Sequence, residues 1–232
     1  VNGGLKDNAI PNKTSAQVVV ADAAAAKAAA QEMAAHFAAE YRVTDPNVAV
    51  TVEAASAGEA MDAASTKKVL CMLTCLPNGV QVMSADIEGL VQTSLNLGIL
   101  ATREHEVQAS FCVRSSVESQ KEMLKGRLSS LMEQLGGSVE FTGDYSSWEY
   151  RANSPLRDRM VEIFREQYGR EPSIEAIHAG VECGIFSGKL EGLDCVSIGP
   201  DLKEIHTPRE RLSISSTQRL WAFVLEVLKR SK

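Results

Sequence analysis

Apolar and polar positions alternate along this chain in two rhythms, and the rhythm changes near residue 150. VNGGLKDNAIPNKTSAQVVVAD opens with Gly3-Gly4 and Pro11, which mark an edge strand or turn. From Ala21 to about Tyr41 the chain is rich in alanine and predicts a helix, with Asp45-Pro46 closing the turn after it. NVAVTVEAAS alternates as a strand does. STKKVLCMLTCLPNG starts with a Ser/Thr cap signal and stops at Pro77-Asn78-Gly79, so it predicts a short helix.

Two β-rich runs follow, GLVQTSLNLGILAT and EVQASFCVRSS, with the charged turn Arg103-Glu104-His105-Glu106 between them. They predict an antiparallel hairpin. VESQKEMLKGRLSSLMEQLGG spaces its apolar residues helically and ends at Gly136-Gly137, and SVEFTGDYSSWEYR predicts another strand. Residues 1–147 therefore read β-α-β-α-β-β-α-β, an α+β sandwich with helices on one face of a mainly antiparallel sheet.

From Ser154 onward helices and strands alternate singly. SPLRDRMVEIFREQYG predicts an amphipathic helix with Pro155 in its first turn. SIEAIHAG predicts a strand, VECGIFSGKL a small helix, LDCVSIGP a strand and STQRLWAFVLEVLKR a terminal helix. This is the grammar of an open α/β sheet. Two or three strands do not make a stable sheet alone, so residues 148–232 read as half of a larger α/β domain.

Composition narrows the function classes. The 232 residues are 44% hydrophobic and 23% charged, with a net charge of −6 and acids and bases interspersed. A phosphate-binding basic stripe, and with it a nucleic-acid partner, is not expected. No apolar run approaches the roughly 18 residues that span a bilayer, so no membrane partner is expected either. Five cysteines without a two-residue gap between any pair predict reduced thiols in a cytoplasmic protein. The chain begins at Val1 rather than at methionine, which predicts a piece of a longer polypeptide.

The chemistry worth following begins at EIHTPRERLSI. His206 sits after a predicted strand and before Thr207-Pro208, and the proline keeps the preceding backbone extended. An imidazole held at the mouth of a sheet suits a metal, yet zinc needs three or four protein ligands. Nothing nearby completes a set, and a polar surface histidine is the competing reading. His178 reads as a satisfied strand histidine, and His36 and His105 as solvated surface. Cys183 and Cys195 read as buried thiols. Cys71 and Cys75, at i and i+4, share a helix face that could touch a metal, but core packing is the favoured reading.

AIHAGVECGIFSGKLEGLDCVSIGP followed by EIHTPRERLSISS resembles the closing segment of metallopeptidase family twenty, in its aminoacyl-histidine dipeptidase (carnosinase-like) branch. GGLKDNAIP, NLGIL and RSSVESQKEML resemble the lid domain of that branch, in the same order. The resemblance implies a lid inserted into an α/β catalytic domain. Residues 1–147 would then be most of the lid and residues 148–232 the C-terminal half of the catalytic domain. It implies hydrolysis of Xaa-His and other short dipeptides by a water activated between two divalent ions, expected to be zinc, with cobalt or manganese as alternatives. It makes His206 the metal ligand of this segment. The remaining ligands and the general base belong to motifs, a His-x-Asp pair and a Glu-Glu pair, that this sequence lacks. The chain alone is therefore expected to be inactive.

Four further residues gain substrate-binding roles from the resemblance. Arg114, at a strand end, offers a guanidinium to a substrate carboxylate or an oxyanion; capping a helix or pairing with Glu118 is the alternative. Asn96 could donate to substrate from its strand, or simply be polar on an open face. Gly180 and Glu182 lie in HAGVECG, where glycine permits close backbone approach and Glu182 could hold a dipeptide's amino terminus; Glu182 as a first-turn carboxylate is the alternative. A short peptide substrate and a homodimer formed through the lid complete the implied partners. Two other readings compete: a non-catalytic dimerisation or binding module, and a sister aminoacylase or deacetylase.

Overall fold

The computed structural model describes residues 1–56, 58–176, 182–205 and 207–231. Its elements alternate between helices and short antiparallel ladders, and the residues group into two compact units.

The first unit comprises Val1–Cys75 and Leu97–Phe111. Strand β1 (Asn2–Gly3) pairs antiparallel with β2 (Thr14–Ser15) and with the far end of β4 (Val91–Thr102), placing Asn2 opposite Ala101 and Gly3 opposite Leu100. Gly4, at φ 75°, lies where a side chain would run into the backbone of Gly98, and a side chain on Gly98 would in turn strike the backbone of Asp7. Two chain segments cross here at a separation only glycine permits. Helix α1 (Ala23–Glu40) starts at Asp22, whose carboxylate accepts from the Ala25 N–H at 3.0 Å. Helix α2 (Ala63–Cys75) is capped by Asp62, which accepts from Ser65 N–H at 2.6 Å; the predicted Ser/Thr cap is replaced by the aspartate just upstream.

The second unit comprises Leu76–Asn96 and Cys112–Lys232. Strand β3 (Gly79–Met83) pairs antiparallel with the first half of β4, with register shifts around Val82. The predicted hairpin forms: β5 (Val107–Ser115) pairs with β4, and the turn closes with Arg103 N–H donating to the Glu106 carbonyl at 2.8 Å. Helix α3 (Glu118–Leu135) buries Leu124 and Leu128 and ends at Gly136, whose φ of 75° lets the backbone turn out of the helix. Helix α4 (Pro155–Tyr168) and helix α6 (Ile214–Lys229) pack through a core of Met160, Ile163, Phe223 and Val227, with Phe164 edge-on to Phe223 at 5.8 Å between ring centres. Helix α5 spans Glu182–Lys189, and β6 (Leu202–Lys203) pairs with β7 (Arg211–Leu212) in a two-stranded ladder.

The mixed α/β class with open, antiparallel sheets matches the expectation from sequence. Residues 177–180 of the predicted strand SIEAIHAG lie outside the described residues, and three other predicted strands take another form. The described residues of NVAVTVEAAS, of SVEFTGDYSSWEYR and of the region from Leu193 to Pro200 contain no ladder. The second of these is fastened instead by side chains. Glu118 accepts from Ser147 N–H at 2.9 Å, Glu149 accepts from Glu118 N–H at 3.1 Å, and the Ser147 hydroxyl donates to the Ser115 carbonyl at 3.0 Å. The segment at 193–200 is held at its start by Asp194, which caps α4. Alternation selects a pleated, half-buried segment, but a strand also needs a neighbouring backbone to complete its hydrogen bonds.

Candidate functional site

Arg114, Asn96 and Glu182 fall on distinct elements of the second unit. Arg114 lies on β5 and is half-buried; its Nε donates to the Cys112 sulfur at 3.5 Å, and this contact is the main reason its pKa is held above the ordinary arginine value. The guanidinium carries five N–H donors, and this bond engages one of them. Its observed partner is therefore Cys112, while Glu118 pairs with Lys121 at 3.0 Å. Asn96 lies half-buried on β4, the other strand of the hairpin, and takes part in an interaction there. Glu182 is the first residue of α5 and is exposed, in a position where the helix dipole favours a carboxylate. Gly180, His178 and His206 lie outside the described residues.

Glu204 and Thr207 flank residues that include His206, and both are described. Glu204 adopts φ 54°, the only positive φ at a non-glycine position among the described residues. Its carbonyl accepts from the Thr207 hydroxyl at 2.7 Å and from the Thr207 N–H at 3.2 Å. Its carboxylate receives Arg209 at 3.1 Å and Arg211 at 3.0 Å, so two guanidinium groups share one carboxylate at the base of the β6–β7 ladder. Glu204 thus joins Thr207, Arg209 and Arg211. The signal was the charge pattern Glu-x4-Arg-x-Arg around a turn, which spacing alone does not distinguish from solvated charge.

A cavity of about 1070 Å³ in the same unit is bordered by α4, α6 and the segment from Leu193 to Gly199. Of the predicted site residues that are described, Arg114, Asn96 and Glu182, none lines it. Its cationic side chains are committed to structure. Arg151 donates to the Gly192 carbonyl at 2.8 Å, Arg157 to those of Arg151 and Ala152, and Arg170 lies over the Phe164 ring at 5.1 Å. Asp194 accepts from the Ser154 hydroxyl at 2.7 Å and the Leu156 N–H at 2.9 Å. Burial pushes its carboxyl up, but those two hydrogen bonds prevail and hold it below the usual carboxylate value. Asp194 and these arginines act as caps and clamps.

Two readings of sulfur and histidine are resolved. His105 is exposed beside Glu104 at 3.7 Å, and His36 is exposed on α1, both as expected of surface histidines. Cys183 and Cys195 are half-buried rather than buried, and the Cys195 sulfur lies 3.2 Å from the Ser187 hydroxyl. Cys71 and Cys75, expected in the core, are both exposed. Among the described residues no three His, Cys, Asp or Glu side chains converge on a point that would hold a metal ion.

No family model matches the chain. Over 231 residues, 98% of its length, it is 32% identical to the cytosol non-specific dipeptidase of Escherichia coli. Its fold superposes on the crystal structure of aminoacylhistidine dipeptidase from Vibrio alginolyticus with a TM-score of 0.83 at 29% identity, covering 99% of this chain. The chain is a homologue of these dipeptidases. It spans about half their length, 48% of the first and 47% of the second. The crystal structure of aminopeptidase PepT from Bacillus cereus shares the fold alone, with a TM-score of 0.52 at 19% identity over 70% of this chain. The resemblance read from HAGVECG, SIGP and HTPRE thus holds along essentially the whole chain. Among the described residues no helix is long and apolar enough to cross a membrane.

Proposed function

We propose that this chain is the C-terminal part of a cytoplasmic, metal-dependent dipeptidase that hydrolyses Xaa-His and other short dipeptides. The observation that carries the reading is the match in both sequence and fold, over 98–99% of the chain, to two dipeptidases. Residues 1–147 act as the lid and as the contact between two copies in a homodimer, and residues 148–232 as half of the catalytic α/β domain. When bound, a pair of divalent ions, zinc before cobalt or manganese, supplies an activated water and polarises the scissile carbonyl. Of the donors such a pair requires, this chain contributes His206, and the described residues add no cluster of their own. The others come from elsewhere in the full-length enzyme, as does the general base.

The remaining roles follow from side-chain chemistry. Arg114 meets the substrate carboxylate or the oxyanion with a planar, permanently charged donor set. Its sulfur contact leaves the charge intact and fixes the side chain close to the strand. Asn96 donates to the substrate from the adjacent strand. Gly180 gives substrate close access to the backbone, and Glu182 holds the free amino terminus by charge.

The test compares this chain with the full-length enzyme. Supplied with zinc or cobalt, the 232-residue chain is expected to turn over no carnosine-type dipeptide, and clear turnover would refute the proposed division of the site. The full-length enzyme is expected to hydrolyse the dipeptide and to lose both bound metal and activity in H206A. A full-length protein that binds no divalent metal would overturn the peptidase reading itself.

A further inference from the structure

Helix α2 places two thiols on the surface of the first unit. Cys71 and Cys75 are one helical turn apart, both are exposed, and their sulfurs lie 3.9 Å from each other. The buried stripe of the same helix is Met72, with Val69 and Leu73 half-buried beside it. The thiols thus lie outside the stripe that anchors the helix, and each is the other's hydrogen-bonding partner. A pair of cysteines serving only as packing would occupy the buried stripe.

We propose that Cys71 and Cys75 form a two-coordinate binding site for a soft, thiophilic d10 monovalent cation of the copper(I) and silver(I) class. Soft thiolate ligands select such ions over harder divalent ones. The helix presents both sulfurs on one face with a gap that a single ion bridges after small side-chain rotations, so the second sulfur binds without closing a new loop. Two donors fall short of the four that zinc takes in structural sites, and no third His, Cys, Asp or Glu completes a set among the described residues. The site therefore favours ions content with two sulfurs.

Binding is a metal-for-proton exchange without redox change. Each thiol loses its proton to solvent, each sulfur forms one bond to the ion, and a monovalent cation with two thiolates leaves a net charge of minus one. Lys67 stands one further turn towards the helix start on the same face and is exposed, where its ammonium offsets that charge. The Cys71 thiol is held above its ordinary value, first by the hydrogen bond with Cys75, so the exchange proceeds less readily as pH falls.

The experiment titrates silver nitrate into the full chain, in chloride-free buffer, following thiolate-to-metal ultraviolet absorbance and the mass of the intact complex. The chain carrying C112S, C183S and C195S together is expected to bind one silver ion as tightly as the unaltered chain. C71S and C75S, each made singly in that background, are expected to bind roughly a hundredfold or more weakly, the loss of one arm of a chelate. Both cysteines are exposed, so circular dichroism of the two variants should match the parent. Equal affinity in C71S or C75S, or loss of the tight site in the triple variant, would overturn the proposal. Neither result depends on the dipeptidase reading.

Discussion

Lys121 shows how much a single buried cation can organise. It is 8% exposed, and its ammonium meets Glu118 at 3.0 Å, Asp144 at 2.8 Å and the Tyr145 carbonyl. Asp144 also receives Lys125 at 2.9 Å. Hydrogen bonds from Lys121 first, then Lys125, hold the Asp144 carboxyl down at about 2, against an ordinary value of 3.8. A carboxyl depressed in the folded state stabilises it at pH above the ordinary value, and that contribution is lost as pH falls towards the folded value. Asp144 is nearly half exposed, so solvent screening reduces the effect to about 1 kcal/mol. D144N is expected to unfold at lower denaturant than the parent at pH 7, with the gap closing between about pH 4 and pH 2. A gap that persists at pH 2 would show that the loss is packing rather than charge. Glu118 and Lys121 stand one turn apart on a predicted helix, but Asp144 lies on a loop that only the fold brings to them. His206 is read as a metal ligand only through its neighbours HAGVECG and SIGP; its own side chain favours the plain reading of polar surface.

At the scale of the element, what could be read depended on whether its signal is local. Helix α4 was bounded correctly because both ends are written in adjacent residues. Ser154 accepts from the Arg157 N–H at 3.1 Å, Pro155 takes the first turn, and Gly169 leaves at φ 66°. Ser154 is also buried, and its hydroxyl donates to Asp194 forty positions on, which no local pattern reveals. S154A is expected to lower the unfolding free energy by about 1 kcal/mol, with the denaturant midpoint falling and the slope unchanged. An unaltered midpoint would mean that Asp194 caps the helix alone through Leu156. The strands were the weaker half of the reading. SVEFTGDYSSWEYR has the alternation of a strand and the contacts of a strapped loop, since hydrogen-bond partners along a strand come from another segment whose position the pattern does not encode.

Across the whole molecule, the terminal helix raises the question of cover. Phe223 and Val227 are buried against α4, yet Trp221 is 65% exposed and Leu228 60% exposed on the same helix. An amphipathic helix with apolar residues beyond its buried stripe has surface to spare for contact. In a W148F chain the remaining tryptophan is Trp221, and its emission is expected to be red-shifted and strongly quenched by acrylamide. A blue-shifted, protected signal would show this face covered in solution. The crossing of Gly4 with Gly98 has a different consequence, and it concerns time. Strand β1 has its long-range partner at Leu100 and Ala101, almost a hundred residues away, so that contact closes a large loop before it returns any enthalpy. At roughly 5–20 residues per second of synthesis, the start of the chain waits several seconds or more for that partner to be made. Among the described strands only β2 is at hand for β1 during that interval, and refolding from denaturant should show the β1–β4 junction forming among the last.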